Sequence, residues 1–208
     1  MTIGDTELMA LARAIVADDH SAVETLVGGT PELATLAFKD GATRQAAPAH
    51  FLAEIGHYVY AGDTALHVAA AAHRPELVRR LIGQGAQVSA RNRRGAEPLH
   101  YAADGRPNSS GWVPAAQAET IVVLLGAGVD PDARDKSGVA ALHRAVRTRS
   151  AAAVAALLEG GADPTAKNGS GSTPLSLAIQ TTGKSGSGSP EAKAQQAEIV
   201  ALLQARGA

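Results

Sequence analysis

The sequence contains no cysteine and few aromatic residues. Without cysteine, the chain can form neither disulfide bonds nor zinc sites with thiolate ligands. Phenylalanine, tryptophan and tyrosine together make up 3% of the 208 residues, whereas 45% of the residues are hydrophobic. Alanine and leucine therefore supply most of the apolar surface, which is typical of closely packed helices.

The sequence also lacks an excess of charge and a long apolar run. Its formal net charge is −1, so the chain as a whole does not attract nucleic acid or an anionic membrane. No stretch approaches the roughly 18 apolar residues of a membrane-spanning helix. The first residues include Asp5, Glu7 and Arg13 and no basic leader, unlike a secretory signal. We therefore expect a cytoplasmic protein that binds neither nucleic acid nor membrane.

A short pattern recurs along most of the chain. Each copy begins with glycine and contains a leucine four residues later, and the four copies occupy residues 62–67, 95–100, 138–143 and 171–176. Their glycines are 33, 43 and 33 residues apart, so the middle interval equals one period plus an insertion of ten residues. A fixed period of this length is typical of stacked helical repeats.

A second pattern of two apolar residues followed by glycine and a small apolar residue closes each unit. It occupies residues 81–86, 124–129 and 157–162, with a looser copy at 202–208. Together the two patterns resemble the ankyrin-repeat family, whose units carry Thr-Pro-Leu-His near the start and Leu-Leu-x-x-Gly-Ala near the end. The resemblance covers nearly three quarters of the chain. It implies an all-α solenoid of helix–turn–helix units joined by β-hairpin-like loops.

Individual residues of the pattern have physical roles that do not depend on the resemblance. Thr64 and Thr173 are placed to accept hydrogen bonds from the first turn of a helix. Pro98 and Pro174 fit the first helical position, where the missing amide hydrogen costs little. Glycines able to adopt a left-handed conformation follow the second helices, at Gly85, Gly128 and Gly161.

Three histidines, His67, His100 and His143, recur at one position of successive units. The resemblance implies a structural role, in which each ring bonds the backbone between neighbouring repeats. His57, His67 and His73 do not have the usual spacing of a zinc site. We therefore expect no metal, no cofactor and no catalytic residue.

We predict one continuous domain. Residues 1–57 lack the first pattern but show apolar residues at helical spacing, so they are predicted to form two degenerate capping repeats. Residues 58–208 hold four repeats, at 62–94, 95–137, 138–170 and 171–208. This division gives about six helix pairs.

The second and fourth repeats carry insertions between their helices. The first, at 106–114, contains the only tryptophan, Trp112, and the second, at 182–190, is rich in glycine and serine. Insertions on one face of a repeat stack often bind partners, but longer loops also cost little free energy and drift without function. Both interpretations stay open.

The resemblance implies a non-catalytic adaptor or regulator that binds a partner protein through a concave groove of loops and inner helices. We expect a monomer. Because many groove residues are basic, we expect the partner to present an acidic segment. Ten residues are predicted to contact it: Tyr60, Asp63, Arg93, Arg94, Tyr101, Asp104, Trp112, Lys136, Arg144 and Arg147.

Two alternatives stay open at this point. One is a small-molecule or catalytic site at the concentration of aromatic residues, since tyrosine and tryptophan are frequent in binding sites. The other is a purely structural cap or a subunit of a dimer. The residues of the small-molecule alternative would be His57, Tyr58, Tyr60, Asp63, Tyr101 and Trp112.

Overall fold

The computed structural model describes residues 3–43, 47–106, 111–180 and 189–208. Within these residues the chain folds as five consecutive helix pairs. The first pair is α1 (Ile3–Val16) and α2 (His20–Gly29). The later pairs are α3 (Ala65–Ala71) with α4 (Pro75–Gly83), α5 (Pro98–Ala102) with α6 (Pro114–Gly126), α7 (Ala141–Arg147) with α8 (Ala151–Glu159), and α9 (Pro174–Ile179) with α10 (Pro190–Ala205).

The helices stack in two layers. The inner layer runs from α1 through α3, α5 and α7 to α9, and the outer layer runs from α4 through α6 and α8 to α10. Leu66, Leu99 and Leu142 hold the same position in successive inner helices, and each is at most 1% exposed. Leu175 of the last inner helix is only partly buried. None of the described helices is long and apolar enough to cross a bilayer.

Helix starts follow the predicted chemistry. The hydroxyl of Thr64 accepts a hydrogen bond from the backbone amide three residues later, and that of Thr173 does the same. Pro98 and Pro174 are the first residues of their helices. The glycines after the outer helices have φ values of +90°, +87° and +92°, which only glycine adopts without strain. These predictions are confirmed.

The predicted second helix pair near the N-terminus is wrong for the described residues. After α2 the chain forms short 3₁₀ helices at Pro31–Ala34, Pro48–His50 and Ala53–Ile55. The last of these helices connects the two strands of an antiparallel hairpin, β1 (Phe51–Leu52) and β2 (His57–Tyr58). The described stack therefore has five helix pairs instead of about six.

Backbone pairing explains why residues 37–42 are not helical. The amide of Phe38 donates to the carbonyl of Asp63, and the amide of Gly62 donates to the carbonyl of Phe38, both at 2.8 Å. A Cβ atom at Gly41 would overlap the backbone nitrogen of Ala61. This close approach lets an extended segment lie against the loop before α3, where its hydrogen-bonding groups find partners.

Residues 107–110 of the first insertion and 182–188 of the second lie outside the described residues.

Candidate functional site

Four loops precede the inner helices and form one edge of the stack. We number them loop 1 (59–63), loop 2 (92–96), loop 3 (135–139) and loop 4 (168–172). In loop 2 the Oδ1 atom of Asn92 accepts hydrogen bonds from the amides of Arg94 at 2.8 Å and Ala96 at 3.1 Å. Asp135 and Asn168 make the equivalent bonds in loops 3 and 4. An Asn or Asp side chain thus closes three of the loops.

Backbone hydrogen bonds join each loop to the next. The amide of Arg93 donates to the carbonyl of Ala61 at 2.8 Å, and the amide of Lys136 donates to the carbonyl of Arg94 at 2.9 Å. A third bond of the same kind joins loops 3 and 4. The loops therefore form a connected row, and side chains that point out of it have fixed neighbours.

The recurring histidines link one repeat to the next. The Nδ1 atom of His100 accepts the Glu97 amide at 3.1 Å, and its Nε2 atom lies 3.0 Å from the carbonyl of Val139. Because Nδ1 accepts, Nε2 must carry the hydrogen, so the ring is neutral. His67 and His143 make corresponding bonds. The predicted structural role is confirmed.

Burial keeps these rings uncharged. Desolvation, together with the neighbouring Arg144 charge, lowers the pKa of His100 to about 4. Burial likewise lowers the pKa of His67 and of His143. In the described ranges, no group of three or more histidine, aspartate and glutamate residues is placed to hold a metal ion.

Asp63 and Tyr101 are buried, which corrects their predicted contact with a partner. They are 1% and 3% exposed. The Tyr101 hydroxyl donates to both carboxylate oxygens of Asp63, at 3.0 and 3.1 Å. Asn92 donates to Asp63 Oδ1 at 2.9 Å and to the Tyr101 hydroxyl at 2.8 Å. The amide of Tyr60 donates to Asp63 at 2.7 Å. This network fastens loop 2 to loop 1 beneath the surface.

Arg144 occupies the same repeat position as Tyr101 and is likewise engaged within the chain. Its guanidinium pairs with Asp104 at 2.9 Å and with Asp135 at 3.1 Å, and its side chain is 15% exposed. Burial alone would raise the pKa of Asp135, but the amides of Val139 and Ser137 together with Arg144 lower it. Asp104 and Arg144 were both predicted to contact a partner. The structure shows them paired with each other.

The half-buried ring of Tyr60 forms a cation–π group with the exposed Arg93 and Arg94. The guanidinium carbon of Arg94 lies 4.4 Å from the Tyr60 ring centroid, and that of Arg93 lies 5.1 Å from it. Both distances fall in the range of attractive cation–π contacts. Arg93 also donates to the carbonyl of Ala42 at 2.6 Å. The two arginines are thereby held side by side on the loop row.

A depression of about 470 Å³ lies between loops 2 and 3 and helix α7. Arg93, Arg94, Lys136 and Arg147 line it and are exposed. Across the described residues, no carboxylate forms an ion pair with any of these four side chains. Arg144 also lines the depression, so the structure brings together five of the ten predicted residues, with Tyr60 beside them.

Trp112 and the tyrosines do not form one cluster. The Trp112 indole donates to Gln117 at 2.9 Å, where the chain turns into α6. Tyr58 contacts Phe51, with ring centroids 4.7 Å apart, and Tyr101 contacts His57 and His67 inside the stack. Tyr58 and Tyr60 line a common surface depression. Of the residues of the small-molecule alternative, His57, Asp63 and Tyr101 are in contact inside the stack, whereas Trp112 bonds Gln117 and Tyr58 packs against Phe51.

Sequence reasoning missed Asn92 and Gln117. Asn92, Asp135 and Asn168 recur at intervals of 43 and 33 residues, so the repeat itself carried a signal for the loop-closing position. Gln117 is buried and donates to the carbonyl of Ala102 at 2.9 Å. No spacing marks this residue, because its neighbours come together only in the fold.

Two family models match the sequence. One, described as ankyrin repeats in three copies, matches residues 8–110, and another, described as ankyrin repeats in many copies, matches residues 123–178. The chain belongs to the ankyrin-repeat family. Ankyrin repeats generally mediate protein–protein interactions. No curated protein matches the chain. The first match includes much of the N-terminal segment, which the Thr-Pro-Leu-His pattern does not reach.

Proposed function

We propose that this ankyrin-repeat protein is a non-catalytic interaction module that binds an acidic segment of a partner protein. The proposed binding surface is the depression lined by Arg93, Arg94, Lys136 and Arg147. The supporting observation is that, among the described residues, the carboxylate of the depression is paired within the chain, whereas four of its cationic side chains are not. The depression's one carboxylate, Asp135, is paired with Arg144, whereas the other cations have no carboxylate partner within the described ranges.

The shape of the surface suits an extended chain. The depression continues along the loop row to a second one of about 290 Å³, lined by Tyr58, Tyr60, Arg93 and Arg94 among others. An acidic segment lying along both would meet charge at one end and aromatic surface at the other. Such charge complementarity raises association rates and selects partners.

Charge reversal on the loop row and on α7 tests the proposal. The probe is a fluorescent peptide of about twelve residues made of glutamate and glycine, and its anisotropy reports binding to the full chain. We expect Arg94→Glu with Arg147→Glu to weaken binding by at least about tenfold, which corresponds to about 1.4 kcal/mol. The difference should shrink as salt is added, because salt screens exposed charges.

A second pair of reversals controls for net charge. Arg13 and Lys193 are exposed on α1 and α10, away from the loop row. Arg13→Glu with Lys193→Glu changes the net charge by the same amount and should leave the affinity within about twofold of wild type. Equal losses in the two double variants, or no binding by the wild type, would refute the proposed surface.

A further inference from the structure

The depression between loops 2 and 3 carries more positive charge than an ordinary carboxylate side chain can balance. Four cationic side chains line it without a carboxylate partner in the described structure. Asp135 does not offset them, because its Oδ1 atom accepts the amides of Ser137 and Val139 and its Oδ2 atom accepts from Arg144. Arg144 is itself shared with Asp104. The depression therefore has a surplus of several positive charges.

Three of the four cations, Arg93, Arg94 and Lys136, are also held in place before a ligand arrives. Arg93 is anchored on the Ala42 carbonyl, and both loop 2 guanidiniums lie against Tyr60. The Lys136 ammonium donates to the Arg93 carbonyl at 2.8 Å and keeps two further hydrogens to donate. Binding therefore loses less side-chain entropy than it would with disordered cations.

Adjacent, preorganised guanidiniums match one chemical group better than others. A phosphate monoester carries a charge near −2 at neutral pH and has three strong acceptor oxygens on one centre. Guanidinium groups donate to such oxygens in pairs. A carboxylate has one negative charge and two acceptor oxygens. It therefore cannot accept hydrogen bonds from Arg94, Lys136 and Arg147 together, and some of their N–H groups stay without a partner.

We infer that this depression recognises a phosphorylated serine or threonine side chain within the acidic segment. The inference rests on the proposed function and specifies its ligand. Val139 is the one apolar side chain in the described lining, so the depression offers little surface to the ring of a phosphotyrosine. A protein source is favoured over nucleic acid because the formal net charge of the chain is −1, so the chain as a whole does not attract a polyanion.

Three labelled peptides on the same glutamate–glycine scaffold test the inference. The first has a central phosphoserine, the second has two glutamates that supply the same charge, and the third has serine. We expect the phosphopeptide to bind the full chain at least about tenfold more tightly than the charge-matched peptide. Equal affinities would overturn the phosphate inference and leave acidic-segment binding intact. No binding by any peptide would overturn both.

Arg94 variants separate hydrogen-bond geometry from charge. Arg94→Lys keeps the charge but not the planar pair of donors, so it should lower phosphopeptide affinity about fivefold while changing the two-glutamate peptide less than twofold. Lys193→Arg, on the exposed face of α10, is the matched control and should change neither. Equal effects of Arg94→Lys on both peptides would contradict phosphate recognition.

Competition experiments test the source of the phosphate. Inorganic phosphate should displace the phosphopeptide only at much higher concentration, because it lacks the flanking acidic residues. Vesicles containing phosphatidylserine and a short single-stranded RNA are the two other competitors. Unlabelled phosphopeptide is the reference competitor. If the vesicles or the RNA displaced the labelled phosphopeptide at a lower concentration of phosphate groups than this reference, a protein ligand would be overturned.

Discussion

Replacing His100 should change how stability depends on pH as well as stability itself. The neutral ring bonds the backbone of Glu97, just before its own helix, and that of Val139 of the following repeat. Glutamine cannot reproduce both bonds, so we expect His100→Gln to lower the free energy of unfolding by about 2 kcal/mol at pH 7.5. The same substitution removes a group that binds protons differently in the folded and unfolded chains.

The size of the pH effect follows from the pKa shift. Burial lowers the pKa of His100 from 6.5 to about 4, so between these pH values the unfolded chain binds a proton that the folded chain excludes. The stabilising effect of the neutral ring is complete above pH 6.5 and declines as the pH falls towards 4. The slope approaches about 1.4 kcal/mol per pH unit, and the total is about 3 kcal/mol. His57 and His73, whose pKa values are also lowered to about 4 by burial, add to the slope.

Urea unfolding followed by circular dichroism at pH 7.5, 6.0 and 5.0 measures this slope. The stability difference between wild type and His100→Gln should narrow by about 1 kcal/mol between pH 6 and pH 5, because only the wild type loses this contribution. Leu99→Ala is the matched control, since it truncates the buried neighbour without changing a titratable group. Its difference from wild type should not depend on pH. A pH-independent difference for His100→Gln would refute the reasoning.

Three other substitutions test the loop row and its supports. Tyr101→Phe removes the hydroxyl that donates to the buried Asp63 carboxylate and should destabilise the fold by about 2 kcal/mol in thermal unfolding. Gly138→Ala should lower the free energy of unfolding by at least about 1 kcal/mol, because φ is +70° and the new methyl group would lie 2.7 Å from the backbone of loop 4. Gly126→Ala in α6 is the comparison, because there is open space around this residue. It should leave the free energy of unfolding unchanged or raise it by up to about 1 kcal/mol. Arg144→Gln should leave two carboxylates without their cation and lower the unfolding free energy by about 2 to 3 kcal/mol, with weaker binding of the glutamate peptide. An Arg144 variant as stable as the wild type would show that the ion pairs contribute little.

The periodic features of the fold could be predicted from the sequence because they depend on local chemistry. A threonine or proline at a helix start and a glycine at a helix end satisfy requirements that recur in every unit. Their spacing therefore gave the repeat, its phase and the structural role of the histidines. The segment after α2 could not be predicted in this way, since Phe38, Ala42 and His50 bond the backbone of loop 1 and not a neighbouring turn.

The direction of individual side chains in the candidate site was harder to predict. Tyr101 and Arg144 stand at equivalent positions, and ankyrin resemblance alone placed both on the groove surface. Whether the side chain at this position points to the surface or into the stack depends on neighbouring residues that differ from one repeat to the next. Asp63 draws the hydroxyl of Tyr101 inward, and Asp104 with Asp135 draws the guanidinium of Arg144 inward. Arg93 and Arg94 remain exposed because loop 2 directs them away from these carboxylates and towards Tyr60.

The buried and exposed halves of the candidate site depend on each other. If Asp135 and Asp104 were not held by Arg144, their carboxylates would be the nearest anions available to the cations of the depression. By pairing with both carboxylates, Arg144 leaves Lys136 and Arg147 free to bind an external ligand, although its own side chain is largely buried. Removing Arg144 should therefore weaken binding in two ways, by subtracting one positive charge and by releasing two competing carboxylates. Adding Asp104→Asn to an Arg144 variant restores the net charge and removes one competitor, so it should recover part of the lost affinity if this electrostatic coupling is correct.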